Sequence, residues 1–500
     1  MSTFKAASVF SDYMVLQRNK NISIFGTGKN GSVISGELCG FKASCTVSDG
    51  KWKLVFPPMG SARYVTLTLS DETNDETITF DNVAIGEVWL AGGQSNMEFE
   101  LCNAVGGKDS IENDDFEDIR YFYTPKCVPI DEDYNESMEN ARWTDFTDKE
   151  SVSHWSAAAF YFACEISKQL NVVVGIIGCN WGSTSASAWI DRKYAVGETA
   201  VYFEDYDKYM KEHSAEETIA QYRDFQAKAE EYNIRRSHYF AKTENPTEKG
   251  CEEVCGKYPS PVPVSPANPN TPGLLHESMI MQIAPYTIAG VLFYQGETDE
   301  IHPDIYYTLL SNLILNWRED WRDDSLPFII GQLPMWAGEN PDGDSWSLIR
   351  EAQMRVFNTI KNTGIAVLAD CGDRDNIHPA DKKPVGHRFA AQAMNLVYGG
   401  CDGASSPTVK AAIWRGNTVE LRFDNAPGGF VIKGEPEGFE ICGEDRIFCP
   451  ACADICGENI FLSCDRIPNP TEVRYLWKNY AEVHIFNGFE LPLAPFRVIK

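Results

Sequence analysis

Short runs of alternating apolar and polar residues fill the first 84 positions of the chain. The runs are NISIFGTG, GSVISGELCGFKASCTVS, KWKLVFPP and RYVTLTLS, and Gly, Asn and Asp separate them at nearly regular spacing. Alternation with a period of two residues is typical of strands that bury one face, and frequent turns are typical of a sandwich. We therefore predict an N-terminal β-sandwich segment over residues 1–84.

From residue 85 onward, continuous apolar runs alternate with stretches of helical periodicity. The apolar runs are EVWLA, NVVVGIIGCN (171–180), TIAGVLFYQG (287–296), LPFIIGQLP (326–334) and TGIAVLAD (363–370), and each predicts a strand buried on both faces. Helical spacing occurs over 155–170, 304–320 and 345–361, with Ser156 as an N-cap of the first helix. This order predicts an α/β domain over residues 85–400, built on a doubly wound parallel sheet.

Two other regions interrupt or follow the α/β pattern. Residues 191–274 hold charged, Tyr-rich helical sequence and then a Pro-rich connector, and we interpret them as an insertion whose role the sequence leaves open. Alternating patterns return over residues 401–500 and predict a C-terminal β segment. A chain of 500 residues is long enough for several such units.

Charge and hydropathy limit the partners. The net charge of −28 disfavours nucleic acid and anionic membrane surfaces, since both attract basic proteins. No apolar stretch approaches the roughly 20 residues of a membrane helix. The N-terminal residues lack the basic region, apolar run and cleavage site of a secretory signal, so a cytoplasmic location is expected unless a leader has been removed.

The 15 cysteines are interpreted as reduced thiols, because their number is odd and no secretory signal precedes them. Five of them cluster between Cys442 and Cys464, around the sequence CPACADIC. This cluster lacks a second Cys-x-x-Cys pair or a His pair. Free thiols in a β segment are therefore favoured over a zinc or iron–sulfur site, which stays open as the lesser alternative.

Reactive side chains follow several of the predicted strands, at the edge of the sheet where α/β proteins bind ligands. Ser95 comes after two glycines in LAGGQSNMEFE and is a candidate nucleophile, with a helix cap as the alternative. Gly182, in GCNWGSTSASAW, could direct a backbone N–H into the cleft. In YQGETDE, the Gln295 amide could donate to an oxyanion, and Glu297 could be a structural hydrogen-bond hub.

A histidine follows the last predicted strand, in DCGDRDNIHPADKKPVGHRFA. Asp375 and His378 are three residues apart, so one turn would let the carboxylate orient the imidazole and leave Nε2 to face a serine. The competing His387 falls within a helical pattern and is expected to be packed or solvated.

Five blocks of the sequence resemble, in order, the sialate O-acetylesterase-like family of SGNH (GDSL-type) hydrolases, which are carbohydrate acetylesterases. The blocks are MVLQR, GEVWLAGGQSNME, GIIGCNWGSTSASAWI, FYQGETD and IHPADKKPVGHRFA, and they extend from residue 14 to residue 390. The resemblance implies an SGNH-hydrolase-type sheet with flanking β-sandwich segments. It also implies Ser95 as nucleophile, His378 as general base and Asp375 as its orienting carboxylate.

The same resemblance implies an oxyanion hole made by the Ser95 N–H, the Gly182 N–H and the Gln295 side chain. Two positions depart from the wider superfamily. Its third block carries Asn where this chain has Gln-Gly-Glu, and its second block more often has paired glycines where Ser183 follows Gly182 here. Both departures concern the oxyanion hole and leave the nucleophile assignment unaffected.

The expected function is that of a serine esterase that removes O-acetyl groups from carbohydrates through an acetyl-enzyme on Ser95, without a metal or cofactor. The resemblance favours O-acetylated sialic acids, and an acetylxylan or xylo-oligosaccharide esterase is the alternative of the same chemistry. A non-catalytic carbohydrate-binding protein is the alternative of another class. Candidate contacts to the small acetylated sugar are Trp181, Tyr294, Glu297 and Trp336, although aromatic residues at such positions are more often core. The sugar hydroxyl and the oligomeric state stay open.

Overall fold

The computed structural model describes residues 4–243, 248–338, 340–400 and 403–500. The N-terminal strands are β1 (Lys5–Ala6), β2 (Val15–Gln17), β3 (Ile22–Thr27), β4 (Val33–Leu38), β5 (Phe41–Thr46), β6 (Lys51–Phe56), β7 (Ala62–Asp71) and β8 (Glu76–Gly93). Strands β1, β3 and β6 form one sheet, and β4, β5, β7 and the start of β8 form a second. Leu54 and Phe56 of the first sheet face Gly36 of the second and share one apolar core with Leu69, so apolar side chains fill the space between the two sheets.

The following part of the chain mixes helices and strands. Its first elements are α1 (Ser95–Glu98), α2 (Gly107–Asn113), β9 (Ile119–Tyr123), α3 (Tyr134–Asn140), β10 (Trp143–Asp145), α4 (Lys149–Ser153), α5 (Ala157–Leu170) and β11 (Val174–Asn180). The elements after them are α6 (Val201–Glu212), α7 (Ala215–Lys242), α8 (Glu248–Cys255), α9 (Met281–Ile283), β12 (Gly290–Tyr294), α10 (Tyr306–Trp321), β13 (Phe328–Gly331), α11 (Ser345–Thr359), β14 (Thr363–Ala366) and α12 (Lys383–Val397).

The central sheet has the strand order β10-β9-β11-β8-β12-β13-β14. All neighbours in it pair in parallel except the edge strand β10, which is antiparallel to β9. Helices cover both faces: Trp89 of β8 packs on Phe162 of α5, and Phe293 of β12 packs on Trp317 of α10. The predicted α/β architecture is confirmed, with a mixed rather than wholly parallel sheet because of β10.

Strand β8 belongs to both sheet systems. Its first part pairs with β7 in antiparallel fashion, and its second part lies parallel between β11 and β12. The predicted boundary at residue 84 therefore falls inside one continuous strand. The turn that carries Ser95 is consequently attached to a strand that the N-terminal segment holds from its other end.

The C-terminal strands are β15 (Thr408–Arg415), β16 (Thr418–Asp424), β17 (Phe430–Ile432), β18 (Phe439–Cys442), β19 (Cys449–Pro450), β20 (Cys452–Cys456), β21 (Asn459–Ser463), β22 (Glu472–Tyr475), β23 (Ile485–Asn487) and β24 (Phe496–Ile499). They form sheets of four, two and four strands. Met335, Val367 and Ala369 of the α/β unit belong to the same apolar core as these strands. The C-terminal segment thus packs against the loops that follow β13 and β14.

The helices α6, α7 and α8 lie within the predicted insertion and agree with its helical pattern. None of the helices in the described ranges is long and apolar enough to cross a bilayer. The 14 cysteines of the described residues are free thiols, and Cys401 lies outside them. Within the same ranges no three potential ligands among His, Cys, Asp and Glu are grouped to hold a metal ion, the cluster from Cys442 to Cys464 included.

Candidate active site

Ser95 stands on a tight turn between β8 and α1. Gly93 has a φ of +132°, and a Cβ atom there would lie 2.1 Å from the carbonyl oxygen of Tyr294, so only glycine fits this position. The Gln94 N–H donates to that same carbonyl at 3.1 Å. Ser95 is the first residue of α1, so its N–H has no acceptor within the helix.

His378 reaches Ser95 across the carboxyl edge of the sheet. Its Nε2 lies 2.8 Å from the Ser95 Oγ, although the two residues are 283 positions apart in the chain. The backbone N–H of His378 donates to the Asn376 side chain at 2.9 Å, which shapes the turn before it. A separation of 2.8 Å is within reach for proton transfer from the hydroxyl to the imidazole. The structure therefore brings the predicted nucleophile and the predicted base together.

Asp375 lies on the solvent side of the same loop. Its side chain is 87% exposed, and its carboxylate is 3.9 Å from the Arg374 guanidinium. The Asp373 carboxylate stabilises the backbone of this turn, since it accepts from the N–H groups of Asp375 and Asn376 at 2.9 and 3.0 Å. The role of Asp375 as the orienting carboxylate stays a prediction. His387 lies on α12, where its Nε2 is 3.2 Å from Glu165.

The Gly182 loop after β11 lies directly beside the nucleophile. A Cβ atom on Gly182 would come within 3.3 Å of the Ser95 Cβ. The Gly182 N–H, however, donates to the carboxylate of Glu98, and the other oxygen of that carboxylate binds the Lys126 ammonium group. The Gly182 N–H thus lies beside Ser95 but is engaged by the Glu98 carboxylate, a contact that the sequence did not indicate, and its role as an oxyanion donor stays a prediction.

Gln295 is buried in the turn after β12, with an exposure of 1%. Its Nε2 contacts the Asp299 carboxylate and lies 3.3 Å from the Gln94 Oε1 and 3.2 Å from the Thr184 carbonyl oxygen. Its Oε1 accepts from the Tyr306 hydroxyl at 2.7 Å. The Gln295 amide therefore joins the loops after three strands, and its role as an oxyanion donor stays a prediction.

The four residues proposed to contact a sugar differ in accessibility. Tyr294 and Glu297 are 1% and 5% exposed, and the Tyr294 ring packs against Phe389. Trp181 and Trp336 are half-buried. Trp336 packs on Trp346 and borders a cavity of about 480 Å³ that is also lined by Glu300, Asn340 and Asn479. Of these four residues, the two tryptophans present a partly exposed ring on which a sugar could stack.

A buried polar set lies behind Ser95 and His378. Lys382 donates to the Asn96 Oδ1 at 2.5 Å, and the Asn96 Nδ2 donates to the Glu297 Oε1 at 2.7 Å. Burial raises the pKa of Glu297 to about 7, and burial lowers the pKa of Lys382 to about 8. Sequence reasoning missed Lys382, because it stands between Asp381 and Lys383 in a charged run that resembles a solvated surface.

Part of the chain matches a model of a known enzyme family, and most of it matches named proteins. Residues 272–395, which include Gln295, Glu297 and His378, match a family model described as carbohydrate esterase, sialic acid-specific acetylesterase. The chain is 25% identical to the sialate O-acetylesterase of Rattus norvegicus over 79% of this chain and 74% of that protein. It is 24% identical to the sialate O-acetylesterase of Homo sapiens over 79% of this chain and 71% of that protein.

The whole chain also resembles a solved structure. A carbohydrate acetylesterase from Xanthomonas citri superposes with a TM-score of 0.78 and 25% identity, covering 99% of both chains. The likeness therefore extends over the flanking β segments as well as the central sheet.

Proposed function

We propose that this chain is a member of the sialic acid-specific acetylesterase family of carbohydrate esterases and removes O-acetyl groups from sialic acids. The observation that carries the proposal is the 2.8 Å contact between the Ser95 Oγ and the His378 Nε2 at the carboxyl edge of the sheet. The relatives from rat and human are named for this activity, and the Xanthomonas citri protein is a carbohydrate acetylesterase. We assign the α/β unit to the SGNH type, with its reactive residues after the first and last strands of the central parallel set.

Acylation begins when His378 Nε2 accepts the Ser95 hydroxyl proton and Oγ attacks the acetyl carbonyl carbon. The carbonyl π electrons move to oxygen and form a tetrahedral oxyanion. Its collapse breaks the bond from the acetyl carbon to the sugar oxygen, and that oxygen takes the proton from His378. The free sugar hydroxyl leaves, and the acetyl group stays on Ser95. The proposed role of Asp375 is to orient the His378 imidazole through its carboxylate.

Deacylation repeats these steps with water. His378 takes a proton from the water molecule, whose oxygen attacks the acetyl carbon and forms a second oxyanion. The bond to the Ser95 Oγ then breaks, the protonated His378 returns its proton to Oγ, and acetic acid leaves and ionises in solution. Ser95 and His378 are thereby restored, so the cycle needs no reactant other than the ester and water.

The N–H groups of Ser95 and Gly182 are the proposed oxyanion donors, with Gln295 as the third candidate. Losing one such donor typically slows an esterase by about 100- to 1,000-fold. Glu98 has to release the Gly182 N–H before an oxyanion can accept from it, because the carboxylate holds that group in the structure. Lys126 is the cation that can retain the displaced carboxylate.

Acetate release from two substrates tests the proposal. Wild-type protein and the Ser95→Ala variant are each given O-acetylated N-acetylneuraminic acid and acetylated xylo-oligosaccharide. We expect release from the sialic acid by the wild type and a loss of about a millionfold in kcat for the variant. If acetate is released from the xylo-oligosaccharide but not from the sialic acid, acetylated xylo-oligosaccharide is the substrate and the proposed substrate is wrong. Equal rates for both proteins, or no release at all, would refute the esterase assignment and leave the non-catalytic alternative.

A further inference from the structure

Three polar side chains lie buried behind the reactive pair, on three separate parts of the chain. Asn96 is on α1, Glu297 follows β12 and Lys382 precedes α12, and their exposures are 0%, 5% and 1%. The Lys382 ammonium group also lies 4.9 Å from the centre of the Phe99 ring and 5.8 Å from that of the Tyr294 ring. We refer to these three residues as the Asn96 set.

The charges of this set fix the orientation of the Asn96 amide. Lys382 donates to its oxygen at 2.5 Å, and its nitrogen donates to the Glu297 Oε1 at 2.7 Å. A flipped amide would place N–H groups against the ammonium and oxygen against the carboxylate, so only one orientation is compatible with both neighbours. The cation and the anion therefore hold the amide from opposite ends.

The fixed amide reaches the histidine loop. The Asn96 Nδ2 also donates to the carbonyl oxygen of Ile377 at 3.0 Å. Asn96 is next to Ser95 and Ile377 is next to His378, so this bond runs beside the 2.8 Å contact between Ser95 and His378. It thereby ties the two loops together directly next to the reacting atoms.

Stability alone does not account for these buried charges. Removing a lysine and a carboxylate from water costs several kcal/mol for each ion, and apolar replacements of similar size are often neutral or stabilising. The Glu297 Oε2 finds no hydrogen-bond partner among the described residues, so the set is not optimised for hydrogen bonding. What the buried charges do achieve is to hold the Asn96 amide in a single orientation.

We infer that Lys382, Asn96 and Glu297 are positioning residues that hold Ser95 and His378 at reacting distance, with Lys382 and Glu297 acting through Asn96. The inference rests on the proposed esterase function. A misplacement of about 1 Å can slow an enzyme by about 100-fold, so loss of the set should reduce kcat more than it changes KM.

Exchanging the amide at position 96 with the carboxylate at position 297 distinguishes an effect on the position of the reacting groups from an effect on folding. In Asn96→Asp, two carboxylates face each other, and we expect kcat for p-nitrophenyl acetate to fall by about 100-fold and Tm to fall as well. In the double variant Asn96→Asp/Glu297→Gln, the amide at 297 can donate to the carboxylate at 96, which pairs with Lys382. We expect Tm to recover while kcat stays low, because an aspartate cannot donate to the Ile377 carbonyl.

A milder substitution covers the case in which Asn96→Asp does not fold. Lys382→Met removes the charge and keeps the chain length, and we expect kcat to fall by about 10-fold or more while KM stays within about twofold. The matched control is Lys383→Met, since Lys383 is the exposed neighbour and its loss should leave both constants unchanged.

The outcomes distinguish this inference from the proposed function. A wild-type protein without Ser95-dependent hydrolysis of p-nitrophenyl acetate would overturn both. An active wild type whose Lys382→Met variant keeps its kcat would overturn the inference alone. So would a double variant in which kcat returns together with Tm, because that result is the one expected of a purely structural network.

Discussion

At the residue scale, the short contact between Ser95 and His378 is surrounded by charges with distinct roles. Glu98 and Lys126 lie on the side of the Gly182 N–H, and Glu297 and Lys382 lie behind the nucleophile. The first pair is partly exposed, and the second pair is buried. The first pair therefore bears on the proposed oxyanion site, and the second on the proposed positioning of Ser95 and His378.

Removing the negative charge of Glu98 by substitution should stabilise the oxyanion of the transition state. A carboxylate on the Gly182 N–H competes with the oxyanion and repels its developing charge. For Glu98→Gln we predict a rise in kcat/KM of about 10-fold with p-nitrophenyl acetate, equivalent to about 1.4 kcal/mol. Glu100→Gln is the control, because Glu100 pairs with His154 at the surface. A large loss of activity in Glu98→Gln would mean that its charge assists catalysis.

The buried charges should also appear in the pH dependence of stability. Between its ordinary pKa of 4.5 and its folded value of about 7, Glu297 holds a proton in the folded state that the unfolded state has lost, so rising pH lowers stability. Between about 8 and 10.5, the unfolded state keeps the Lys382 proton that the folded state has lost, so rising pH raises stability.

Urea unfolding at a series of pH values measures both slopes. Relative to wild type, Glu297→Gln should lack the decline from about pH 4.5 to 7, and Lys382→Met should lack the rise from about pH 8 to 10.5. Burial is the main cause of both pKa shifts, and neighbouring Asp299 and Asp381 favour the protonated forms. Free energies that run parallel for wild type and variant across these ranges would contradict the shifts.

Single residues also show what the sequence could and could not predict. Ser95, Gly182 and His378 stand out because glycines and strand ends mark them, and the structure places them together. Lys382 and Glu98 carry no such mark, because only tertiary packing buries the one and brings the other onto the Gly182 N–H. Charged residues are normally solvated, so their burial cannot be derived from local pattern.

At the scale of elements, long periodic stretches were the predictable ones. The helical pattern over residues 155–170 correctly predicts α5 with Ser156 as its N-cap. The continuous apolar runs correctly predict β11, β12, β13 and β14. The edge strand β10 and its neighbour β9 were missed. They are short, and β9 contains the buried Arg120, whose guanidinium donates to the carbonyl oxygens of Tyr13 and Asn82. A charged residue interrupts the apolar pattern by which a buried strand is predicted, and its burial is explained only by the hydrogen-bond partners that the folded chain supplies.

The Ser156 cap provides a test at this scale. Its Oγ accepts from the Ala159 N–H at 3.2 Å, so Ser156→Ala leaves an N-terminal amide of α5 without that partner. We predict a loss of about 1 kcal/mol in the free energy of unfolding, measured in urea. Ser156→Gly should lose less, because glycine is tolerated at N-caps. An unchanged free energy for Ser156→Ala would show that the cap contributes nothing.

At the scale of the whole molecule, the flanking β segments are joined to the catalytic unit rather than appended to it. Strand β8 runs through the predicted boundary at residue 84, and the C-terminal core includes Met335, Val367 and Ala369. The sequence could show the change of pattern at the boundary, but not that one strand serves two sheets, because pairing is a long-range property.

The C-terminal segment contacts the loop of Trp336, a proposed sugar contact, through Asn479. Its side chain accepts from the Trp346 N–H at 3.0 Å and donates to the Asn340 carbonyl at 3.0 Å, and its backbone accepts from the Trp336 N–H at 3.1 Å. Asn479→Ala should loosen the loop that carries Trp336. We predict a higher KM for acetylated sialic acid, little change for p-nitrophenyl acetate, and a loss of about 1–3 kcal/mol in stability.

Lys478→Ala is the matched control for this prediction, because the Lys478 side chain is 43% exposed and forms an ion pair with Asp342 at the surface. Equal changes in KM for both esters in Asn479→Ala would show that the C-terminal segment does not shape the sugar site.

The central claim, that His378 activates Ser95 as a nucleophile, is tested most directly by covalent labelling. Wild type, Ser95→Ala and His378→Ala are treated with a fluorophosphonate, and the modified residue is identified by peptide mapping. We predict a single label on Ser95 in the wild type, none in Ser95→Ala and a much slower reaction in His378→Ala. A label on another residue, or an unchanged rate in His378→Ala, would contradict it.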